Sequence, residues 1–231
     1  MPNHITNRIR FAGTKNRVQE LVEFVKGIDD ETGKVIPFDF NKIIPMPKDL
    51  MVESGTMAEL GMFIQYKIAT RSIYKIEEYD KTKKRFDELS KKEQERALDL
   101  GKKYYDNFIK YGVTDWYEWS LMYWGTKWNA YGFDYFEQYP DEITFQTAWN
   151  CPIVVLTKLS TLFPDVTVEV TYADEDAGSN TGIIYLENGK PLEMNMPDSR
   201  SIEGYEIYFD LNPDARNNFR RNGDTYEYNE D

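Results

Sequence analysis

The chain has 231 residues, with 40 acidic and 28 basic side chains and a formal net charge of −12. That length allows one large domain, or one domain carrying a big insertion. An apolar share of 41%, with aromatics at 15%, excludes a disordered composition, and the acidic balance argues against non-specific binding to duplex DNA, RNA or anionic lipid, which depends on Lys and Arg. Cys151 is the one cysteine and His4 the one histidine, so an internal disulfide and a multi-Cys/His zinc site are both excluded. "MPNHITNRIRFAG" has no apolar signal region, and no apolar run approaches the roughly 20 residues of a membrane span. A cytoplasmic protein is expected.

In chain order, Asn3 to Phe11 reads as a strand with Ile5 and Ile9 on one face. Thr14 is placed to cap a helix in which Val18, Leu21, Val22 and Val25 recur at helical spacing, with Gly27 as its stop. "GKVIPFDFNKIIPMP" looks extended, and its prolines make it an edge or terminating strand. From Lys48 to Trp124 the pattern is helical. Thr56 with Glu59, Ser90 with Glu93, and Asp115 with Glu118 each have capping-box spacing, and Gly112 is a C-terminal stop. The Lys-rich stretch around residues 79–103 interleaves acids with bases, as a solvated helix face does.

"TDWYEWSLMYWGTKWNAY" holds four of the five tryptophans. It divides at Gly125 into a short helix and a strand. On the strand, Lys127, Asn129 and Tyr131 share one side, opposite Trp128 and Ala130. "ITFQTAW" alternates as a strand, Pro152 opens a helix ended by Pro164, and "DVTVEVTY" alternates again. Asn188-Gly189 marks a type I′ hairpin. "IEGYEIYFDL" fits strand or helix, and the polar segment after it is expected to fray.

Without the helical stretch the order is β-α-β-β-α-β, the split ferredoxin-like arrangement. The expected fold is α+β: a ferredoxin-like antiparallel sheet from residues 1–47 and 125–211, a large helical insertion over 48–124, an extra C-terminal β-hairpin, and a polar tail over 212–231.

"MPNHITNRI", "FNKIIPMP", "WSLMYWGTKWNAY" and "FQTAWNCPIVVLTKLSTLFPDVTVEVTYADEDAGSNTG", in this order, resemble the YubB-like family, proteins of unknown function from plasmids, bacteriophages and other mobile elements. The resemblance implies a ferredoxin-like domain and a mobile-element setting. It brings no catalytic residue, cofactor or substrate.

Candidate sites follow from residue chemistry. His4, next to Asn3, is a general base by type, but no nucleophile motif accompanies it. Both residues also suit a hydrogen-bonded strand start. "YADEDAGSNTG" gathers Asp174 and Asp176 as hard ligands for Ca²⁺ or Mg²⁺, although EF-hand spacing fails and a surface turn explains the same residues. Cys151 stands near a helix start, where a thiol can be activated, or where a small residue is simply buried. Trp119 and the strip of Lys127, Asn129 and Tyr131 are the candidate binding surface, while most tryptophans are expected in a core seam joining insertion and sheet.

No phosphate-binding loop or hydrolase elbow occurs. The reading is a non-enzymatic interaction protein of a mobile element or phage, without cofactor, that binds a host or defence protein. Rings would anchor the contact and acids would steer it. The alternatives are a single-stranded nucleic-acid or nucleotide-binding module and a metal-dependent hydrolase.

Overall fold

The structure is a computed structural model that describes residues 3–29, 32–71 and 79–229. Residues 72–78, within the stretch expected to be helical, lie outside the described residues, as do 1–2, 30–31 and 230–231. The chain forms two compact units, one of Met1–Pro45 with Tyr123–Asp231 and the other of Met46–Met122. No helix among the described residues is long and apolar enough to cross a membrane.

The first unit is built on a five-stranded antiparallel sheet of β1 (His4–Ala12), β4 (Glu142–Ala148), β5 (Thr167–Asp174), β6 (Gly182–Glu187) and β7 (Lys190–Asn195). The strand order is β4-β1-β5-β6-β7. β4 and β5 both run antiparallel to β1, so the β4-helix-β5 crossover is split by β1. Ile9 lies opposite Ile143 on one side and Val170 on the other, and Val170 lies opposite Ile184. These four residues therefore share one face, and all are buried. The layer over that face comes from the apolar stripes of α1 (Lys15–Phe24) and α6 (Ile153–Leu162), which lie side by side with Phe24 and Phe163 rings 5.5 Å apart. Thr14 stands at the N-cap of α1 without a side-chain hydrogen bond.

On the other face α7 (Ile202–Leu211) packs against β5 and β6, and Arg8 pairs with its Asp210. "IEGYEIYFDL" is therefore helix, capped by Ser201 accepting from the Gly204 N–H at 3.1 Å. The Asn188-Gly189 turn forms as expected, with both residues at positive φ (46° and 74°).

Four expectations fail here. "GKVIPFDFNKIIPMP" adds no strand to the main sheet. It contributes only β3 (Val35–Ile36), paired with β2 (Gly27–Ile28), followed by a 3₁₀ turn over Phe40–Lys42. Its rings serve packing instead: Phe38 stacks on Phe145 at 5.1 Å and Phe40 meets Trp124 at 5.6 Å. Gly27 accordingly sits in β2 and does not stop α1, whose C-cap is Val25. The segment after Gly125 is not a strand either; Tyr131 alone makes a bridge to Gln146. Finally, the tail is folded over its described residues through Tyr228. β8 (Phe219–Asn222) and β9 (Thr225–Tyr228) form a hairpin, and Phe219 and Tyr226 pack against Tyr205 and Phe209 of α7.

The second unit contains α2 (Thr56–Tyr66), α3 (Tyr79–Asp87), α4 (Lys91–Tyr111) and most of α5 (Trp116–Tyr123). α2 and α4 meet backbone to backbone. A Cβ on Gly61 would lie 1.7 Å from the Ala97 carbonyl oxygen, and one on Gly101 would lie 2.2 Å from the Gly61 carbonyl carbon. Ser90 and Glu93 form the expected capping box, and Gly112 ends α4 in the left-handed region. Thr56 with Glu59 does not, because Gly55 is the N-cap. Glu59 is buried and pairs with Arg71, which also donates to the fully buried Asp115 at 2.7 Å. Asp115 caps α5 by accepting from the Glu118 N–H, while Glu118 reaches back to Thr114 instead of Asp115.

Candidate functional site

β1 begins where β4 and β5 end: His4 is paired with Ala148, and Ile5 with Asp174. Side chains far apart in sequence therefore meet at one end of the sheet. His4 Nδ1 and the Tyr131 hydroxyl are 2.7 Å apart, with their rings edge to face. Asn3 Nδ2 donates to Asp174 Oδ1 at 3.1 Å, and the Asp176 N–H donates to the same oxygen at 2.9 Å. The Trp149 N–H donates to Asn3 O, which brings Trp149 alongside. Trp149 has φ +75°, a left-handed conformation that a tryptophan rarely adopts. Lys127 lies over the Trp149 ring at 5.2 Å and over Trp128 at 4.6 Å.

A hollow of about 340 Å³ opens here on the face that carries α7. β1 supplies His4 and Thr6, β4 supplies Gln146, and β5 with its following turn supplies Asp174 and Glu175. Tyr208 and Asn212, from the end of α7, and Tyr135 complete the wall. Burial pushes the Tyr131 hydroxyl up to about 12, and the Glu175 carboxylate acts in the same direction. Burial also raises Tyr208, with Asp176 adding to it. Two larger hollows, of about 650 and 800 Å³, have mostly apolar walls and gather none of the candidate binding or metal residues.

The loop beside the hollow is fixed to the sheet edge. Gln138 acts as a substitute strand: its Nε2 donates to Thr144 O at 2.9 Å and its Oε1 accepts from Thr144 N–H at 3.1 Å. This leaves Tyr135 and Tyr139 projecting, 76% and 51% exposed, among the exposed acids Asp134, Glu137 and Asp141.

Asn3, His4, Lys127, Tyr131, Asp174 and Asp176 are thus brought to one end of the first unit. Asn129 points elsewhere. Its Oδ1 accepts from Phe40 N–H, its Nδ2 donates to Asp39, and it carries the 3₁₀ turn instead of an outward strip. Trp119 belongs to the other unit and is 5% exposed, so its ring is not offered to a ligand. Asp174 and Asp176 do not form a metal cage. Among the described residues no three His, Cys, Asp or Glu side chains are grouped to hold an ion, and Asp176 is turned to Ser179 and Arg200. Cys151 is buried, and burial pushes its thiol up, away from thiolate chemistry. Tyr135, Tyr208 and Asn212 were not singled out in the sequence, because their places on a loop and at the end of α7 give no periodic signal.

The geometry of the sheet decides the comparison with known proteins. Residues 123–219 match the family model described as the ferredoxin-like domain in Api92-like protein. The fold is ferredoxin-like. The match supports the ferredoxin-like domain that the resemblance implied, under the Api92-like description and not the YubB-like one. The Api92-like segment holds β4, α6, β5, β6, β7 and α7, while β1, the strand between β4 and β5, comes from outside it. No curated protein matches the chain. The crystal structure of a protein api92 from Yersinia pseudotuberculosis aligns over 85% of this chain and 98% of that one, at 9% identity and a TM-score of 0.36. Likeness at that level carries no argument.

Proposed function

We propose that the chain is a non-enzymatic binding module that engages a basic segment of a partner protein. The observation that supports this is the surface of the first unit around the hollow. Exposed Tyr135 and Tyr139 stand among Asp134, Glu137 and Asp141, and the adjoining hollow is walled by Asp174 and Glu175 with no Lys or Arg among its described residues. Rings with two rotatable bonds supply contact area at low entropic cost, and carboxylates steer a basic partner. The plasmid and phage setting implied by the sequence resemblance makes a host or defence protein the partner in this reading.

The test is a peptide array of matched basic, neutral and acidic sequences probed with the whole chain. Retention by basic peptides, weakened by salt and reduced about tenfold by a Tyr135→Ser, Tyr139→Ser variant, is the expected result. Equal retention by all three classes would overturn the proposal. So would tryptophan quenching by an oligonucleotide with no peptide retained, which selects the nucleic-acid reading.

A further inference from the structure

We propose that β7 is a self-association surface, at which a second copy of this chain pairs edge to edge and joins the two sheets into one. β7 ends the strand order, with β6 on one side and no strand on the other. Among the described residues, no backbone group from Pro191 to Met196 bonds to anything outside the β6 ladder. An antiparallel edge strand turns alternate N–H and C=O groups outward, where they can template a further strand. The opposite edge is closed, since Gln138 and Tyr131 both bond to β4.

The open edge carries apolar side chains. Leu192, Met194 and Met196 are 62%, 49% and 54% exposed. Met194 lies opposite the buried Ile184 and so continues the apolar face of the sheet, which α6 covers over β5 and β6. Near the turn the edge is blunted by Pro191 and by a bulge that leaves Leu192 without a partner on β6.

The sequence "KPLEMNMPD", residues 190–198, selects a second copy over another partner, because it is close to a palindrome about Met194. A two-fold axis there sets Met194 against itself, Leu192 against Met196, and Glu193 against Asn195 instead of another acid. Pro191 faces Pro197, so residues without an N–H close the ladder at both ends. Beyond them Lys190 faces Asp198; both are exposed, and neither is in an ion pair among the described residues. A two-fold contact needs this kind of self-complementarity, and apolar and opposite-charge pairs across strands favour it. The net charge of −12 repels two copies, so screening by salt strengthens the dimer.

Sedimentation of the whole chain from micromolar to millimolar concentration should show monomer and dimer in exchange, with added salt favouring the dimer. Retention of basic peptides weakens with salt, so the two interactions are separable. Met194→Lys sets two lysines face to face on the axis. It should leave only monomer, with the melting curve of the parent under conditions where the parent is monomeric. Lys190→Glu, which opposes an acid with an acid, should weaken the dimer about tenfold, and adding Asp198→Lys should restore it. Positions 190 and 198 lie about 25 Å apart along an extended chain, so restoration reports a contact between copies.

A chain that stays monomeric at every concentration and salt would overturn the proposal. So would a dimer that persists in Met194→Lys, which places the interface elsewhere, or a charge reversal that fails to restore association. The peptide array reads the ring-bearing acidic surface beside β4, and its outcome is independent of these.

Discussion

Asn129 makes three contacts with one side chain. Its Oδ1 accepts from the N–H groups of Phe40 and Ala130, and its Nδ2 donates to Asp39. Sequence alternation places it with Lys127 and Tyr131, but the chain after Gly125 is not a strand, so that alternation does not apply. Asn129→Ala would leave the Phe40 N–H without its acceptor and take one donor from the buried Asp39, which keeps only Asn41. It should cost about 2 kcal/mol, measured by denaturant unfolding, and leave peptide retention unchanged at temperatures where the chain is folded. A loss of retention without a loss of stability would return Asn129 to the binding surface. His4 and Tyr131 show the opposite case. They lie in separate stretches of sequence, yet they stand 2.7 Å apart because β1 pairs with β4 and Tyr131 bridges to Gln146 of β4.

At the scale of elements, capping and turn signals transfer well when the local chemistry is complete. Ser90 with Glu93, Gly112, and Asn188-Gly189 all do what their spacing indicates. Thr56 with Glu59 does not, because Glu59 is drawn into the ion pair with Arg71. A tertiary partner competes for the same carboxylate that a cap would use. The α2–α4 contact gives a sharp expectation. Gly61→Ala must push apart two helices whose backbones touch, since the added carbon meets the Ala97 carbonyl. The cost should be about 3 kcal/mol, read as a fall in the unfolding midpoint of the helical unit. Gly33→Ala, where an added Cβ meets nothing, gives the comparison for a glycine constrained only by its positive φ. A Gly61→Ala protein as stable as the parent would mean that the helices do not approach this closely.

At the scale of the whole molecule, the ferredoxin-like match covers residues 123–219, but the strand that pairs with both β4 and β5 lies at 4–12. A chain of residues 123–229 alone would expose the inner edges of both β4 and β5. It should show no cooperative unfolding transition, and a synthetic peptide of residues 3–13 should restore one. Cooperative unfolding of the fragment without the peptide would contradict the bridging place of β1 between β4 and β5. The sequence by itself determined the alternating strands, the amphipathic helices, the sharp turns and the ferredoxin-like class, because periodicity and turn chemistry are local properties of the chain. It also determined the acidic charge that argues against phosphate backbones as partners. Only the tertiary structure decided that the rings of residues 34–47 pack against β4 instead of adding a strand to the main sheet, and that the polar tail folds as a hairpin against α7. It alone also decided that Asn3, His4, Tyr131, Asp174 and Tyr208 surround one hollow. That last outcome depends on strand register between segments more than a hundred residues apart, and no local pattern encodes such a register.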